Sequence, residues 1–180
     1  MNFIEAVKKD INKYVPSNSR ALIVKTLLLN HSFHLVFWIR IGQLARKIPF
    51  LGAFLGVLVE YFIRVVFASD ISCKAKIGGG LMIVHGHDVV IGSDVVIGEN
   101  CKIFNGVTLG SKDTEILNNK QPIIKDHVVI GTGAKVLGSV TLGNSCYVGA
   151  NSVVIHDIPC NSVAVGIPAR IIKKNEGDYI

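Results

Sequence analysis

From Asp70 onward the chain carries an aliphatic residue at every sixth position, and no other feature limits its fold as tightly. The register runs Ile71, Ile77, Ile83, then Ile91, Ile97, Ile103, Leu109, then Ile124, Ile130, Val136, Leu142, Val148 and Val154. A fixed short period of this kind is an internal repeat, and it outranks local propensity as a guide to architecture. Glycine often follows the aliphatic position, as in Ile77-Gly78, Ile91-Gly92, Leu109-Gly110, Ile130-Gly131 and Val148-Gly149. A six-residue step suits a short strand plus a tight turn, and small residues at the turns admit backbone conformations that others resist. Three steps close a triangular coil whose inward aliphatic side chains stack in columns. The expected fold class is therefore mainly β, with residues 70–180 forming a β-helical domain and a C-terminal tail.

Residues 1–69 follow a different rule and are expected to form an N-terminal helical segment. Pro16-Ser17-Asn18-Ser19 is a turn and N-cap cluster, after which Leu22, Ile23, Thr26 and Leu27 recur at helical spacing. A second helix is predicted from Phe33 to about Lys47 and a third, after Pro49, from about Leu51 to Phe67. These helices are apolar on most sides and must pack on something. The net charge of +6 is concentrated here: residues 1–69 hold nine Lys/Arg against three Asp/Glu, whereas residues 70–180 hold ten of each.

At 49% apolar and 18% charged, the composition is that of a folded, soluble protein. The opening MNFIEAVKKD lacks the apolar core of a signal peptide. The longest strongly apolar run, Ile48 to Val59, is too short to span a bilayer. Four separated cysteines, Cys73, Cys101, Cys146 and Cys160, offer no CxxC pair and read as small buried hydrophobes in a reducing cytoplasm.

The two interruptions of the repeat are the places to look for chemistry. Between Ile83 and Ile91 the chain adds two residues to the period, in a bulge that contains Val84-His85-Gly86-His87-Asp88. Three repeats make one coil, so Ile91 is expected about 4.8 Å above Ile71, bringing His85 near the corner that holds Asp70 one coil below. Bulges aim side chains. An imidazole beside a carboxylate is a competent base near neutral pH, which makes His85 and Asp70 a candidate catalytic pair. His87 shares the bulge, and periodicity alone does not choose between the two histidines. The second interruption, from Leu109 to Ile124, exceeds the period by nine residues. Its polar sequence is expected to form a loop covering an active site.

The repeat resembles that of the hexapeptide-repeat acyltransferases, which implies that the coil is a left-handed parallel β-helix. Within that family, residues 70–174 look like serine acetyltransferases. Asp70 and His85, 15 residues apart, match that family's catalytic Asp and His, which also favours His85 over His87. Gly131-Thr132-Gly133-Ala134-Lys135 and Gly166-Ile167-Pro168-Ala169-Arg170 match its acetyl-CoA segments, and Phe33-His34 and Arg40-Ile41-Gly42 fit its helical part. The resemblance implies direct acetyl transfer from acetyl-CoA in a ternary complex, within a homotrimer whose active sites lie between subunits. Gly110, Thr132, Gly133 and Ala150 would line the pantetheine path, and Pro168, Arg170 and Lys173 the nucleotide end, where cations suit CoA phosphates.

The departures from that family fall where the acceptor is recognised, at Val84, His87, Lys120 and Gln121. The residue before the family's catalytic His is Asp, able to pair with a substrate ammonium, and here it is Val84. Its Arg-His before Pro, which serves the substrate carboxylate, is here Lys120-Gln121 before Pro122. An unpaired ammonium beside an apolar residue loses its compensation, whereas a glutamine suits a neutral polyol. The expected reaction is therefore acetylation of a sugar hydroxyl in surface polysaccharide or glycan biosynthesis, closest to the polysaccharide O-acetyltransferases. Serine O-acetylation for cysteine synthesis is the alternative. A metalloenzyme on the same coil would need a third ligand besides His85 and His87, and none is apparent, so no metal is expected. Nucleic acid is not an expected partner. The expected location is cytoplasmic; basic apolar helices can rest on the inner face of an anionic membrane, although the plainer expectation is that they pack on the coil and on neighbouring subunits.

Overall fold

The computed structural model describes residues 2–15, 19–112 and 120–174. Four helices come first: α1 (Phe3–Tyr14), α2 (Arg20–Leu29), α3 (His31–Ala45) and α4 (Gly52–Phe67). The last three agree with the expected helices to within a few residues. Residues 16–18, expected as a turn, lie outside the described residues, and Ser19 occupies the N-cap of α2 without making a side-chain cap bond. The helix α1 was not expected. It begins with a capping box in which Asn2 accepts from the Glu5 amide and Glu5 accepts from the Asn2 amide.

The coil then visits three faces in rotation, with Ile158, in an isolated bridge to Leu142, keeping the second-face place after Val154. The first face holds β1 (Asp70–Ile71), β4 (Val90–Ile91), β7 (Thr108–Gly110), β10 (Lys135–Leu137) and β13 (Val153–Val154), paired in that order. The second holds β2 (Lys76–Ile77), β5 (Val96–Ile97), β8 (Ile123–Ile124) and β11 (Thr141–Leu142). The third holds β3 (Met82–Val84), β6 (Lys102–Phe104), β9 (Val129–Ile130), β12 (Tyr147–Val148), β14 (Ser162–Gly166) and β15 (Ala169–Lys174). Apart from the antiparallel pair β14–β15, the pairings are parallel, and Ile71 pairs with Ile91 as the period requires. This is a parallel β-helix of hexapeptide repeats preceded by helices. Every aliphatic position of the register is buried, and together they form the column of the core. Each fully buried Ile or Leu of this kind contributes on the order of 1.5–3 kcal/mol.

A β-helix leaves raw strand edges at both ends, and here the helices close the lower one. Leu35, Val36, Ile39, Ile63 and Phe67 belong to the same core as the coil. Polar side chains satisfy the backbone that no lower coil can reach, which blunts an otherwise adhesive edge. Asp10 accepts from Leu81 N (2.9 Å), and the Tyr14 hydroxyl both accepts from Ile83 N and donates to Ile83 O, each at 2.8 Å. Burial pushes the Tyr14 hydroxyl well above the usual tyrosine range, so it remains a donor. Glu60 accepts from Cys73 N at 2.7 Å. At the upper end β15 folds back on β14.

The helices do not hide all of their apolar surface in one protomer. Along α4, Phe54, Val57, Leu58, Tyr61 and Val65 are exposed, as are Leu27, Leu28 and Leu29 of α2. No single helix among the described residues is long and apolar enough to cross a membrane, and α2 and α3 meet at a 75° bend.

Candidate active site

The first interruption of the repeat lies at the edge where the third face turns into the first. In the coil above, Asn105-Gly106 makes that turn between β6 and β7; in the first coil the insertion expands it to His85-Gly86-His87-Asp88. His85 takes φ +55° and Asp88 φ +55°, left-handed conformations uncommon outside glycine, though Asn, Asp and His adopt them more readily than other residues. The turn is held by three bonds: His87 N donates to His85 O (2.6 Å), Gly86 N to Ser32 Oγ (2.8 Å) and Asp88 N to Ala68 O (3.0 Å). Both histidine side chains and the Asp88 carboxylate are exposed, whereas Gly86 is buried.

Four of the residues expected along the cofactor path, Thr132, Gly133, Ala150 and Pro168, climb the same edge. Thr132-Gly133 turns the next coil, Ala150-Asn151 the one after, and Ile167-Pro168 ends β14. Backbone bonds lock successive turns together, Gly106 N to His87 O, Gly133 N to Asn105 O and Asn151 N to Thr132 O. Four strand spacings separate His85 from Pro168, roughly 19 Å, a span that an extended acetyl-CoA can follow. Thr132, Ala150 and Pro168 are exposed along it, and Arg170 and Lys173 lie exposed on β15 at its upper end. The residues present thus fit the cofactor: an open edge, small side chains and a cationic top.

Two of the glycines behave differently. Gly133 has φ +71°, and a Cβ there would run into the Asn151 side chain, so coil geometry by itself demands glycine. A Cβ at Gly110 would meet nothing within 4 Å. Gly110 is also not on the His85 edge. It ends β7 at the edge between the first and second faces, beside the loop.

That second edge holds the remaining acceptor candidates. Lys120 is exposed, and Gln121 lies across Gly92, its Oε1 accepting from Asp94 N (3.0 Å) and its Nε2 donating to Ser111 Oγ (3.2 Å). Gln121 therefore ties the far end of the loop to the coil and to the loop's own beginning. The tip of the loop, residues 113–119, lies outside the described residues. Within one protomer the structure brings His85, His87, Val84, Thr132, Gly133, Ala150 and Pro168 to one edge, and Gly110, Lys120 and Gln121 to another.

Asp70 sits one coil below the bulge, pairing with Val90. Its carboxylate lies 2.6 Å from Arg64 Nη2 at the end of α4, and among the described residues no hydrogen bond joins it to His85. Asp88 is the carboxylate that sequence reasoning passed over. Its side-chain oxygens have no hydrogen-bond or ion-pair partner among the described residues, and the carboxylate points toward Gly106 on the His85 edge; its place three residues after His85 was the available signal. No group of three His, Cys, Asp or Glu among the described residues could hold a metal ion. Three of the cysteines are buried and Cys160 is exposed, a correction to the expectation that all four are. It sits in the turn leading to β14, where no inward position is on offer. A hollow of about 600 Å³ lies between α1, α3 and the first two coils and touches none of these side chains. An elongated cofactor is better matched by the exposed edge than by that hollow.

Residues 121–156 match the family model described as bacterial transferase hexapeptide, six repeats. The chain is 38% identical over 174 residues to the serine acetyltransferase of Bacillus subtilis, covering 96% of this chain and 79% of that protein. It is 36% identical to that of Buchnera aphidicola, covering 97% of this chain and 66% of that one. Among solved structures, serine acetyltransferase of Brucella abortus in complex with coenzyme A superposes with a TM-score of 0.85 at 29% identity, over 96% of this chain and 68% of that one. Neisseria gonorrhoeae serine acetyltransferase in complex with serine gives 0.86 at 29% identity, over 95% and 69%. The expected closeness to polysaccharide O-acetyltransferases finds no support in these relatives. The chain belongs to the serine acetyltransferase family of hexapeptide-repeat, acetyl-CoA-dependent O-acetyltransferases.

Proposed function

We propose that the protein transfers the acetyl group of acetyl-CoA to the side-chain hydroxyl of L-serine, with His85 as general base. The observation that carries this reading is the exposed imidazole of His85 at the foot of the edge formed by Thr132, Gly133, Ala150 and Pro168. His85 takes the proton of the acceptor hydroxyl as that oxygen attacks the thioester carbonyl, and returns it to the departing CoA thiolate. O-acetylserine and CoA are the products. Asp70, one coil below the bulge and charge-paired with Arg64, is the second catalytic group of the proposal, on the strength of its spacing from His85 in the sequence.

The physical objections to serine are weaker in three dimensions than in sequence. Gln121 spends its carboxamide on Asp94 and Ser111, so it lends little to a polyol acceptor. Val84 removes one carboxylate before the base, while Asp88 offers another three residues after it. The relatives named above are serine acetyltransferases. A second reading, transfer to an uncharged sugar hydroxyl, retains one specific support, Val84 itself.

A trimer is part of the proposal. The His85 edge and the edge carrying Gly110 and the loop are distinct corners of one triangular prism, and packing the prisms side by side brings one edge of each copy to the other edge of its neighbour. The exposed apolar residues of α2 and α4 suit burial between copies. To test the function, purified protein would be given acetyl-CoA and a panel of L-serine, D-glucose, D-galactose and N-acetyl-D-glucosamine, following CoA release and product mass. Saturable turnover with L-serine supports the reading, and turnover with the sugars alone sinks it.

A further inference from the structure

We propose that Ser32, in the first turn of α3, is a positioning residue for His85. This rests on the reading of His85 as the base. The Ser32 hydroxyl accepts from Gly86 N at 2.8 Å, while on the other end of the same peptide unit His85 O accepts from His87 N at 2.6 Å. A peptide plane gripped at both its N–H and its C=O cannot rotate freely, so ψ of His85 is fixed, and φ is already committed at +55°. Together these angles set where the imidazole leaves the backbone.

The helix reinforces the grip. Gly86 is buried, and a Cβ there would come within 3.1 Å of both Leu35 Cδ2 and Ser32 Cα, so α3 presses directly on the underside of the bulge. Ser32 itself is steadied by the α3 N-cap, where Asn30 accepts from Phe33 N at 2.9 Å. A rare backbone conformation persists only when its surroundings over-determine it. The helical segment thus both caps the coil and aims the base, although 54 residues separate donor and acceptor.

The consequence is kinetic. Without the hydroxyl, the 85–86 peptide keeps only one of its two anchors and the imidazole loses its fixed direction, and misplacement by about 1 Å can cost on the order of a hundredfold in rate. Ser32→Ala, Ser32→Thr and His85→Ala would be compared with the wild type, using acetyl-CoA and the best acceptor of the panel above, for kcat, KM and thermal melting. Ser32→Ala is expected to lower kcat by about tenfold or more, with the KM for acetyl-CoA within about twofold and the protein still fully folded at the assay temperature, the unsatisfied Gly86 amide lowering the melting temperature only modestly. Ser32→Thr, which keeps the oxygen, is expected to restore most of the rate.

An inactive His85→Ala beside a Ser32→Ala that turns over at the wild-type rate overturns the positioning role and leaves the base in place. Equal loss in Ser32→Ala and Ser32→Thr also overturns it, as does a loss in Ser32→Ala that disappears when the assay is run well below its melting temperature. A fully active His85→Ala removes the base, and the role of Ser32 with it.

Discussion

Arg40 lays its guanidinium along the carboxylate of Asp10, with Nε 2.9 Å from Oδ2 and Nη2 3.2 Å from Oδ1, and their side chains are 3% and 1% exposed. The pair is embedded in a satisfied network. Arg40 also donates to Ile77 O (2.8 Å), Gly78 O (2.5 Å) and Gln43 Oε1 (3.1 Å), while Asp10 accepts from Leu81 N. It fastens α1 and α3 to the first coil at a point where the coil has no lower neighbour.

Removing one member leaves the other charge buried without compensation, which is far more costly than losing an exposed pair. Asp10→Ala is expected to destabilise the protein by about 3 kcal/mol or more. Lys9→Ala, which breaks the solvent-exposed pair with Glu99, should cost no more than about 1 kcal/mol. Urea unfolding of both variants at one protein concentration provides the comparison, and equal losses would contradict the ranking.

Thiol chemistry separates the cysteines sharply. Burial, with Glu60 adding and Arg46 opposing, pushes the Cys73 thiol up to about 12. Burial raises Cys146 to about 12 and Cys101 to about 11. At pH 8 these three are protonated, with at most about one thiolate in a thousand, and Cys160 alone is exposed. One thiol per chain should react quickly with a disulfide reagent in the folded protein, and four after denaturation. Rapid labelling of a second cysteine before unfolding would show the core to be looser than described.

Two histidines share the bulge, and they are expected to be unequal. His85 adjoins the peptide that Ser32 and His87 pin, whereas His87 lies beyond it. His85→Ala should lower kcat by roughly a hundredfold or more, the usual scale for a lost general base, without moving the KM for acetyl-CoA. His87→Ala should stay within about tenfold of the wild type. The reverse order of losses would assign the base to His87.

What the sequence made legible follows from what a short period can specify. A six-residue register fixes at once which side chains point inward and which strands stack, so each aliphatic position of the register from Ile71 to Val154 follows from the sequence alone. The same counting located the bulge. Contacts between the helical segment and the coil follow no period, and these were invisible: Tyr14 on Ile83, Asp10 on Leu81 and Ser32 on Gly86 join residues 54 to 71 apart. The helix α1 carried a readable start in Asn2 and Glu5, but its polar inward residue, Asp10, broke the apolar pattern. Gln121 reads in sequence as free to meet an acceptor because its partners, Asp94 and Ser111, come close only in the folded chain.

On the proposed function the acceptor is selected by charge near His85, and two substitutions at that corner test it from opposite sides. A zwitterionic amino acid needs a partner for its ammonium, since an uncompensated charge at a desolvated site is costly. Val84 offers none, and the Asp88 carboxylate, exposed on the same edge and without a described partner, is available to provide one. If serine is the acceptor, Asp88→Asn should raise the KM for L-serine by about tenfold or more, the scale of a lost hydrogen bond to a charged group, with the KM for acetyl-CoA unchanged. Val84→Asp would place a second carboxylate beside the base and should lower the KM for L-serine. If a sugar is the acceptor, Asp88→Asn has little to remove, and Val84→Asp exchanges an apolar contact for a charge and should impair turnover. Measuring kcat and KM for L-serine and N-acetyl-D-glucosamine in both variants separates the two readings. The serine reading fails if Val84→Asp impairs sugar transfer and neither change affects serine.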